Sequence, residues 1–436
     1  MAVDARSGDR PLRRWVAVLG GGLVIVLALV VGGAVAWRAG SERGTGGRST
    51  QPDVAWTLDA GSAAFAADGN LYVHGGRLEA VDPLTGAQRW RYAGDAYARL
   101  PGVPNGRVYA VEEGAGRLSM LDSATGTVRW RYESGYRRLA RPVEAGGAAF
   151  LLDAEANLIA LDAATGAVRW RHTTGLEPTA PGTTRGMPPL PADGVVYLIA
   201  PDGRLVAVEA DSGTARWEMP GLGREWGSVL VAGRIAFAVN DVGVTAVDTA
   251  TGRQLWSRKP PGNWFSGSCL TVHGDTAYAL GEDRLEAVDA STGTHRWTAT
   301  IPAARFRTWA DNGRAIHPCN PLVLADGAIY VGHQSLVSLD AATGQRRWTV
   351  DTDMHSAPVL ADGVLYLTVS GQDDRPPSLL TLNARTGERK ATWTPRHTNK
   401  KWVPNGNSVV DAAPGIVVYD CFDCAGPQTY GIRTRR

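Results

Sequence analysis

Lysine is nearly missing from this chain: it occurs only at positions 259, 390, 400 and 401, so arginine supplies 41 of the 45 basic residues. With abundant alanine and glycine, that bias points to a high-GC bacterial genome and carries no chemistry of its own. Cysteine is also scarce, with four residues, none adjacent to another and none close to the N-terminal apolar run, which excludes a bacterial lipid anchor. Charge of one sign is absent too. Residues 1–50 carry seven Arg against three acids, and the remaining 38 basic residues face 40 acidic ones. A nearly neutral body lacks the electrostatic footprint that nucleic acid requires. The eight histidines, at 74, 172, 273, 295, 317, 333, 355 and 397, form no His-x-x-x-His pair, so no metal site is expected. No serine has a nucleophile-elbow setting and no phosphate-cradling loop precedes a helix. The Asp-Gly pairs at 68, 193, 202, 326 and 362 read as turns, because the further carboxylates of a calcium loop are missing. No catalytic constellation is expected.

What the chain has in quantity is one repeated stretch. Leu158 to Trp170, LIALDAATGAVRW, returns seven more times, anchored on Gly86, Gly126, Gly166, Gly213, Gly252, Gly293, Gly344 and Gly387 at intervals of 40, 40, 47, 39, 41, 51 and 43 residues. That is the period of a four-stranded blade. Leu158, Ala160 and Asp162 alternate with Ile159 and Leu161 as in a strand, and the run stops at Asp-x-x-Thr-Gly. There the carboxylate can accept turn N–H groups and the glycine supplies positive φ. Four residues after the glycine stands an indole: Trp90, Trp130, Trp170, Trp217, Trp256, Trp297 and Trp348. A common offset implies a common pocket, so these seven are expected to dock each blade on its neighbour. A second mark precedes each turn, at Tyr72, Tyr109, Phe150, Tyr197, Phe237, Tyr278, Tyr330 and Tyr366. Every repeat thus offers an inner strand, a strand with this aromatic, a strand ending in Asp and an outer strand with Trp.

The pattern Ala-x-Asp-x-x-Thr-Gly-x-x-x-Trp (Ala80, Asp82, Thr85, Gly86, Trp90; likewise Ala160 to Trp170 and Ala287 to Trp297) resembles the tryptophan-docking motif of pyrroloquinoline-quinone-like β-propeller repeats over residues 54 to 433. The expected fold is all-β, a propeller of four-stranded antiparallel blades. Eight blades, the number that the resemblance implies, are expected. Eight motifs plus a composite sheet at the chain ends tally nine. After the eighth motif, residues 408–420 and 428–434 read as three more strands, and Val54 to Asp59, which contains Trp56, is the candidate for the missing outer strand that closes the ring. The eighth copy is irregular, with Asn383 for Asp, Ala391 for Trp, and Trp393 two residues on.

Val16 to Ala36 is an unbroken run of 21 apolar or Gly residues, long enough at about 1.5 Å per residue to cross a hydrocarbon core of about 30 Å. Arginines precede it, and Trp15 and Trp37 flank it. The expected organisation is therefore a cytoplasmic tail at 1–14, a signal-anchor helix at 15–37, a flexible Gly/Ser/Arg linker at 38–53 and a propeller at 54–436, held outside a cell membrane by a single span. Cleavage after Ala34-Val35-Ala36 and a twin-arginine signal at Arg13-Arg14 are the competing readings.

Four cysteines outside the membrane invite two disulfides, Cys421 with Cys424 and Cys269 with Cys319. The connections from one outer strand to the next inner strand differ in content, and the longer ones carry aromatics beside Arg, Lys or Asn. Arg224, Trp226, Trp264, Phe265, Arg307, Trp309, His317, His355, Lys401 and Trp402 are the candidates to line a ligand funnel; the competing reading is that they only fill space between blade tops. The resemblance implies two branches. Quinoprotein dehydrogenases hold pyrroloquinoline quinone and Ca²⁺ beneath a Cys-Cys ring, which this sequence lacks, so neither cofactor is expected. The other branch, a barrel-assembly lipoprotein, is a non-catalytic scaffold. The expectation is a membrane-anchored, monomeric, extracytoplasmic scaffold for an envelope protein, peptide or cell-wall component, ahead of a ligand-binding sensor and of a quinone-dependent oxidoreductase.

Overall fold

The computed structural model describes residues 52–434 except 60–63, 75–76, 95–103, 113–114, 136–138, 140–141, 154–156, 174–188, 201, 221–227, 241–242, 260–268, 282, 303–321, 333–334, 353, 355–357, 370–377, 396–407 and 422–427. The expected anchor at 15–37, the tail before it and most of the expected linker lie outside this set. No helix among the described residues is long and apolar enough to cross a membrane.

The described strands form nine antiparallel sheets, eight of four strands and one of three. Blade 1 runs through Ala64–Ala67, Asn70–His74, Leu78–Val81 and Gln88–Arg91, and the order from inner to outer strand follows the chain. Blades 3 to 8 repeat this order. In blade 2 the described strands are Arg107–Glu112, Arg117–Asp122 and Val128–Glu133. The third strands read as continuous apolar runs because each blade is covered on both faces by its neighbours: Leu158, Ile159, Ala160 and Leu161 are all fully buried. The outer strands alternate, as in Gln88–Arg91, where only Trp90 is buried.

Nine sheets make up the ring, the number that the tally of repeats permits, rather than the eight that the family resemblance favours. The ninth blade is assembled from both ends of the domain: Ser408–Ala413, Ile416–Cys421 and Gln428–Arg433 take Val54–Leu58 as their outermost strand. Val54 pairs with Ile432, Trp56 with Gly431 and Leu58 with Thr429. An ion pair of 3.1 Å from Arg433 to Asp53 and a backbone bond of 2.9 Å from Arg433 N–H to the Asp53 carbonyl continue the seam. The closing strand read from the sequence is therefore present, with the extra blade as its consequence.

Each of the nine joints between blades holds its own apolar cluster, from Trp56, Val418 and Leu71 at the seam to Tyr366, Val417 and Tyr419 between blades 8 and 9. The core is thus a girdle of interfaces. Large residues of the second strands, Tyr72, Tyr109, Phe150, Tyr197 and Phe237, are at its centre and fully buried.

Candidate functional site

The turn after each third strand sets the joint. Asp162 Oδ1 accepts the N–H of Ala164 at 3.0 Å, the N–H of Thr165 at 2.9 Å and the Thr165 hydroxyl at 3.0 Å. This Asx-type turn ends at Gly166 with φ 75°, and Gly166 N–H returns to the Asp162 carbonyl at 2.8 Å. The glycine has a second reason to be there. A Cβ on it would come within 2.6 Å of the Trp130 ring of the preceding blade. The same holds at all eight turn glycines, where a Cβ would meet the preceding indole at 2.5–2.9 Å. The flat turn is the seat of the indole.

Each seat also holds the indole by its nitrogen. Trp56, Trp90, Trp130, Trp170, Trp217, Trp256, Trp297 and Trp348 donate from Nε1 to the carbonyl of the residue after the next blade's turn acid, or after Asn383 in blade 8, at 2.8–3.2 Å. Behind seven of them lies the aromatic of the same blade's second strand, its ring centroid 5.9 Å away. Blade 9 has no such turn for blade 8 to meet. Ala391 stands in the docking register opposite Thr381, and Trp393, two residues on, lies edge-on to Tyr430 and Tyr419 at centroid distances of 5.0 and 5.9 Å.

The residue before the docking indole is a feature missed in reading the sequence. Arg89, Arg129, Arg169, Arg216, Arg296 and Arg347 reach back to their turn acids at 2.5–2.9 Å. The signal was available: an acid and an arginine seven residues apart in six of the copies. Hydrogen bonding from Arg169 and Arg347, and then from Thr165 and Thr343, brings the Asp162 and Asp340 carboxyls down to about 2. These clamps are half-exposed and screened, so each adds little to stability. Their effect is to pair the turn acids of six blades at one end of the ring.

The ten funnel candidates lie outside the described residues. The strand ends that flank them are described. Arg224 and Trp226 lie in sequence between Ala215–Met219 and Ser228–Ala232, Trp264 and Phe265 between Gln254–Arg258 and Cys269–His273, and Arg307, Trp309 and His317 between His295–Thr300 and Leu322–Ala325. His355 follows Arg346–Asp351, and Lys401 and Trp402 follow Arg389–Trp393. Because strands alternate in direction, all five connections leave their blades at the end opposite the Asp-Thr-Gly turns. The thiols of Cys269, Cys319, Cys421 and Cys424 are likewise outside the described set.

The family model described as outer membrane protein assembly factor BamB, of the pyrroloquinoline-quinone-like repeats, matches residues 22–181, 176–390 and 310–422. The chain belongs to this family. As a member of the BamB-like repeat family it shares its fold with BamB from Moraxella catarrhalis, at 16% identity and a TM-score of 0.50 over 88% of this chain and 100% of that one. The computationally designed protein Ika8 is similar at 14% identity and a TM-score of 0.52, covering 79% of this chain and 97% of its own. The quinohemoprotein alcohol dehydrogenase ADHIIG from Pseudomonas putida HK5 shows 16% identity and a TM-score of 0.50 over 88% of this chain and 76% of that chain. No relative is found among curated proteins. The sequence has no adjacent cysteines, and among the described residues no three His, Cys, Asp or Glu converge.

Proposed function

We propose that this protein is a membrane-anchored, extracytoplasmic propeller that acts as a non-catalytic binding scaffold for an envelope protein or peptide. The observation that carries the reading is membership of the BamB-like family across most of the chain. The closed ring supports it. Nine blades, joined at eight of their nine joints through one repeated indole seat, form a frame, and the variable connections between blades hang from it, which is how recognition is built on scaffolds that do not themselves move. Residues 15–37 span the membrane and place the propeller outside the cell, and the funnel residues from Arg224 to Trp402 engage the ligand.

Retention of envelope proteins on the immobilised full-length chain tests the reading, with the Trp309→Ala/Trp402→Ala variant as the control. A partner retained by the natural chain and lost from the variant supports the scaffold. Adding pyrroloquinoline quinone and Ca²⁺ provides the counter-test: alcohol-dependent dye reduction would make the chain an oxidoreductase and end the proposal.

A further inference from the structure

The joint between blades 3 and 4 is built differently from its neighbours. Between blades 2 and 3 the same position is filled by polar atoms: the fully buried carboxylate of Glu144 accepts from Arg107 Nη1 at 2.6 Å, Tyr109 OH at 2.6 Å and Asn105 Nδ2 at 3.0 Å. Strand register equates Arg107, Tyr109 and Glu144 with Ala148, Phe150 and Pro191 one joint further on. All three polar groups are gone there, and two of the replacements are small. Phe237, the other phenylalanine in the series, has the larger Ile235 and Val272 at the equivalent places in its apolar cluster. Between blades 3 and 4 a crevice of about 90 Å³ is left, lined by Ala145, Ala148, Phe150, Pro191, Ala192 and Ala210 with Asp193 and Asp211 at its rim. That volume is about the share of three waters in the liquid, on an apolar floor.

The rim is equally particular. Asp211 is the only acid at the second position after a turn acid; Leu84, Ala124, Ala164, Ala250, Ser291, Ala342 and Arg385 occupy the others. Asp193 is an exposed hairpin residue with φ 48°. Among the hairpin acids of other blades, Asp68 is engaged by the Gly106 N–H at 3.0 Å, Asp275 by Arg296 at 2.8 Å and Asp362 by the Thr434 hydroxyl, whereas Asp326 of blade 7, like Asp193, has no ion-pair partner among the described residues. Neither Asp193 nor Asp211 has an ion-pair partner among the described residues. The one nearby cation on this blade, Arg216, is committed to Glu209 through both Nε and Nη2.

We propose that this crevice receives a lysine or arginine side chain of a protein partner, with the alkyl stem on the Ala/Phe/Pro floor and the cation between Asp193 and Asp211. Long basic side chains divide in this way between an apolar surface and a polar rim, and two unpaired carboxylates over an apolar slot complement no other common side chain. The proposal rests on the reading of the chain as a binding scaffold. It places a contact at the turn end of the ring, opposite the funnel.

The full-length chain is titrated with acetyl-Ala-Arg-Ala-amide and acetyl-Ala-Gln-Ala-amide by ligand-observed NMR. The arginine peptide is expected to bind, to be displaced by acetyl-Ala-Lys-Ala-amide, and to weaken about tenfold in Asp193→Asn/Asp211→Asn and in the crevice-filling Ala148→Leu. Asparagine tolerates the positive φ at position 193, and if Ala148→Leu does not fold, the exposed substitution Asp211→Asn carries the test alone. Equal binding of the glutamine peptide, or an affinity unchanged in the doubly neutralised variant, overturns the site. Tighter binding of a diamino-acid muropeptide than of the arginine peptide overturns the protein partner. Envelope retention that depends on Trp309 and Trp402 while these peptides fail would sink the crevice and leave the scaffold reading standing.

Discussion

Trp56 and Gly431 come from opposite ends of the propeller and pair across the two outermost strands of the ninth blade, where a Cβ on Gly431 would stand 2.0 Å from Cε2 of the indole. The glycine lacks a positive φ, so its requirement is steric alone. Gly431→Ala is therefore expected to destabilise the chain by about 1–3 kcal/mol, as overpacking does. Trp56→Ala in the same chain should recover part of that loss, because it removes the obstacle. Denaturant unfolding of the two single variants and the double variant gives the coupling; additive losses would contradict the contact.

Two glycines with the same backbone separate the seat from the turn. Gly166 has φ 75° and Gly194 φ 76°, yet a Cβ on Gly166 would meet the Trp130 ring at 2.6 Å while one on Gly194 would meet nothing within 4 Å. Alanine at 194 should cost only the left-handed backbone term, about 1–2 kcal/mol. Alanine at 166 should cost that and about 1–3 kcal/mol more. Trp130→Ala, which empties the buried seat from the other side, should cost about 3–5 kcal/mol. Equal midpoints for the two glycine variants would mean that the indole has no fixed seat.

The turn acids make the ring sensitive to acid. Asp162 and Asp340 titrate at about 2 in the folded chain, held down chiefly by Arg169 and Arg347, against about 3.9 for a free aspartate. A carboxyl depressed in the folded state stabilises it above the unfolded value and loses that contribution as pH falls through the folded one. Stability should therefore be level above about pH 4 and decline towards about pH 2. Blade 8 supplies the natural control: Asn383 accepts the N–H groups of Arg385 and Thr386 at 2.9 and 3.1 Å without a titrating group. Asp162→Asn/Asp340→Asn should keep the turns and flatten the acid limb; melting temperatures from pH 7 to pH 2 measure it.

The pair between blades 5 and 6, a buried Glu286 met by a partly exposed Arg258, belongs to a second row of contacts. Side chains two residues beyond each docking indole face the same neighbour: Tyr92 donates to Glu112 at 2.7 Å, His172 Nδ1 meets the Gly213 carbonyl at 2.9 Å, and Arg258 forks onto Glu286. Glu286 is 1% exposed. Arg258→Ala leaves that carboxylate buried and unpaired, at a cost of about 3–5 kcal/mol, whereas Arg258→Met/Glu286→Met should be close to neutral. A single-variant loss below about 1 kcal/mol would show that water reaches Glu286.

Much of this architecture could be read in the chain because its signals are short-range and repeated. Asp162, Thr165 and Gly166 build a turn within five residues, and Trp56 announced the closing strand by being the one early indole outside both a motif and the apolar N-terminal segment. What could not be read depends on a partner blade. Gly166 satisfies its own φ and Trp130 at once, and one glycine reports only the first. Trp393 looked like a damaged copy, but with no turn in blade 9 to receive a docking indole, its place two residues on puts it against Tyr419 and Tyr430. The count of nine followed from the ends of the chain, where three strands and one strand make a blade that no local pattern marks. The funnel residues sit in connections with no periodicity, so sequence could nominate Trp309 and Trp402 only by composition.

Those two indoles are expected to behave unlike Trp130. They fall outside the docking offset and in connections of unequal length, so neither has a glycine seat and a paired carbonyl prescribed by the repeat. Trp309→Ala and Trp402→Ala should each leave the unfolding midpoint within about 0.5 kcal/mol of the natural chain, as surface substitutions do. Retention of the envelope partner should fall by about tenfold or more, as when a buried aromatic anchor is removed from an interface. Thermal unfolding and retention measured on the same preparations decide the point. Stability lost in step with binding would return both residues to the role of filling the spaces between blades, and would leave the partner to be sought at the turn end of the ring.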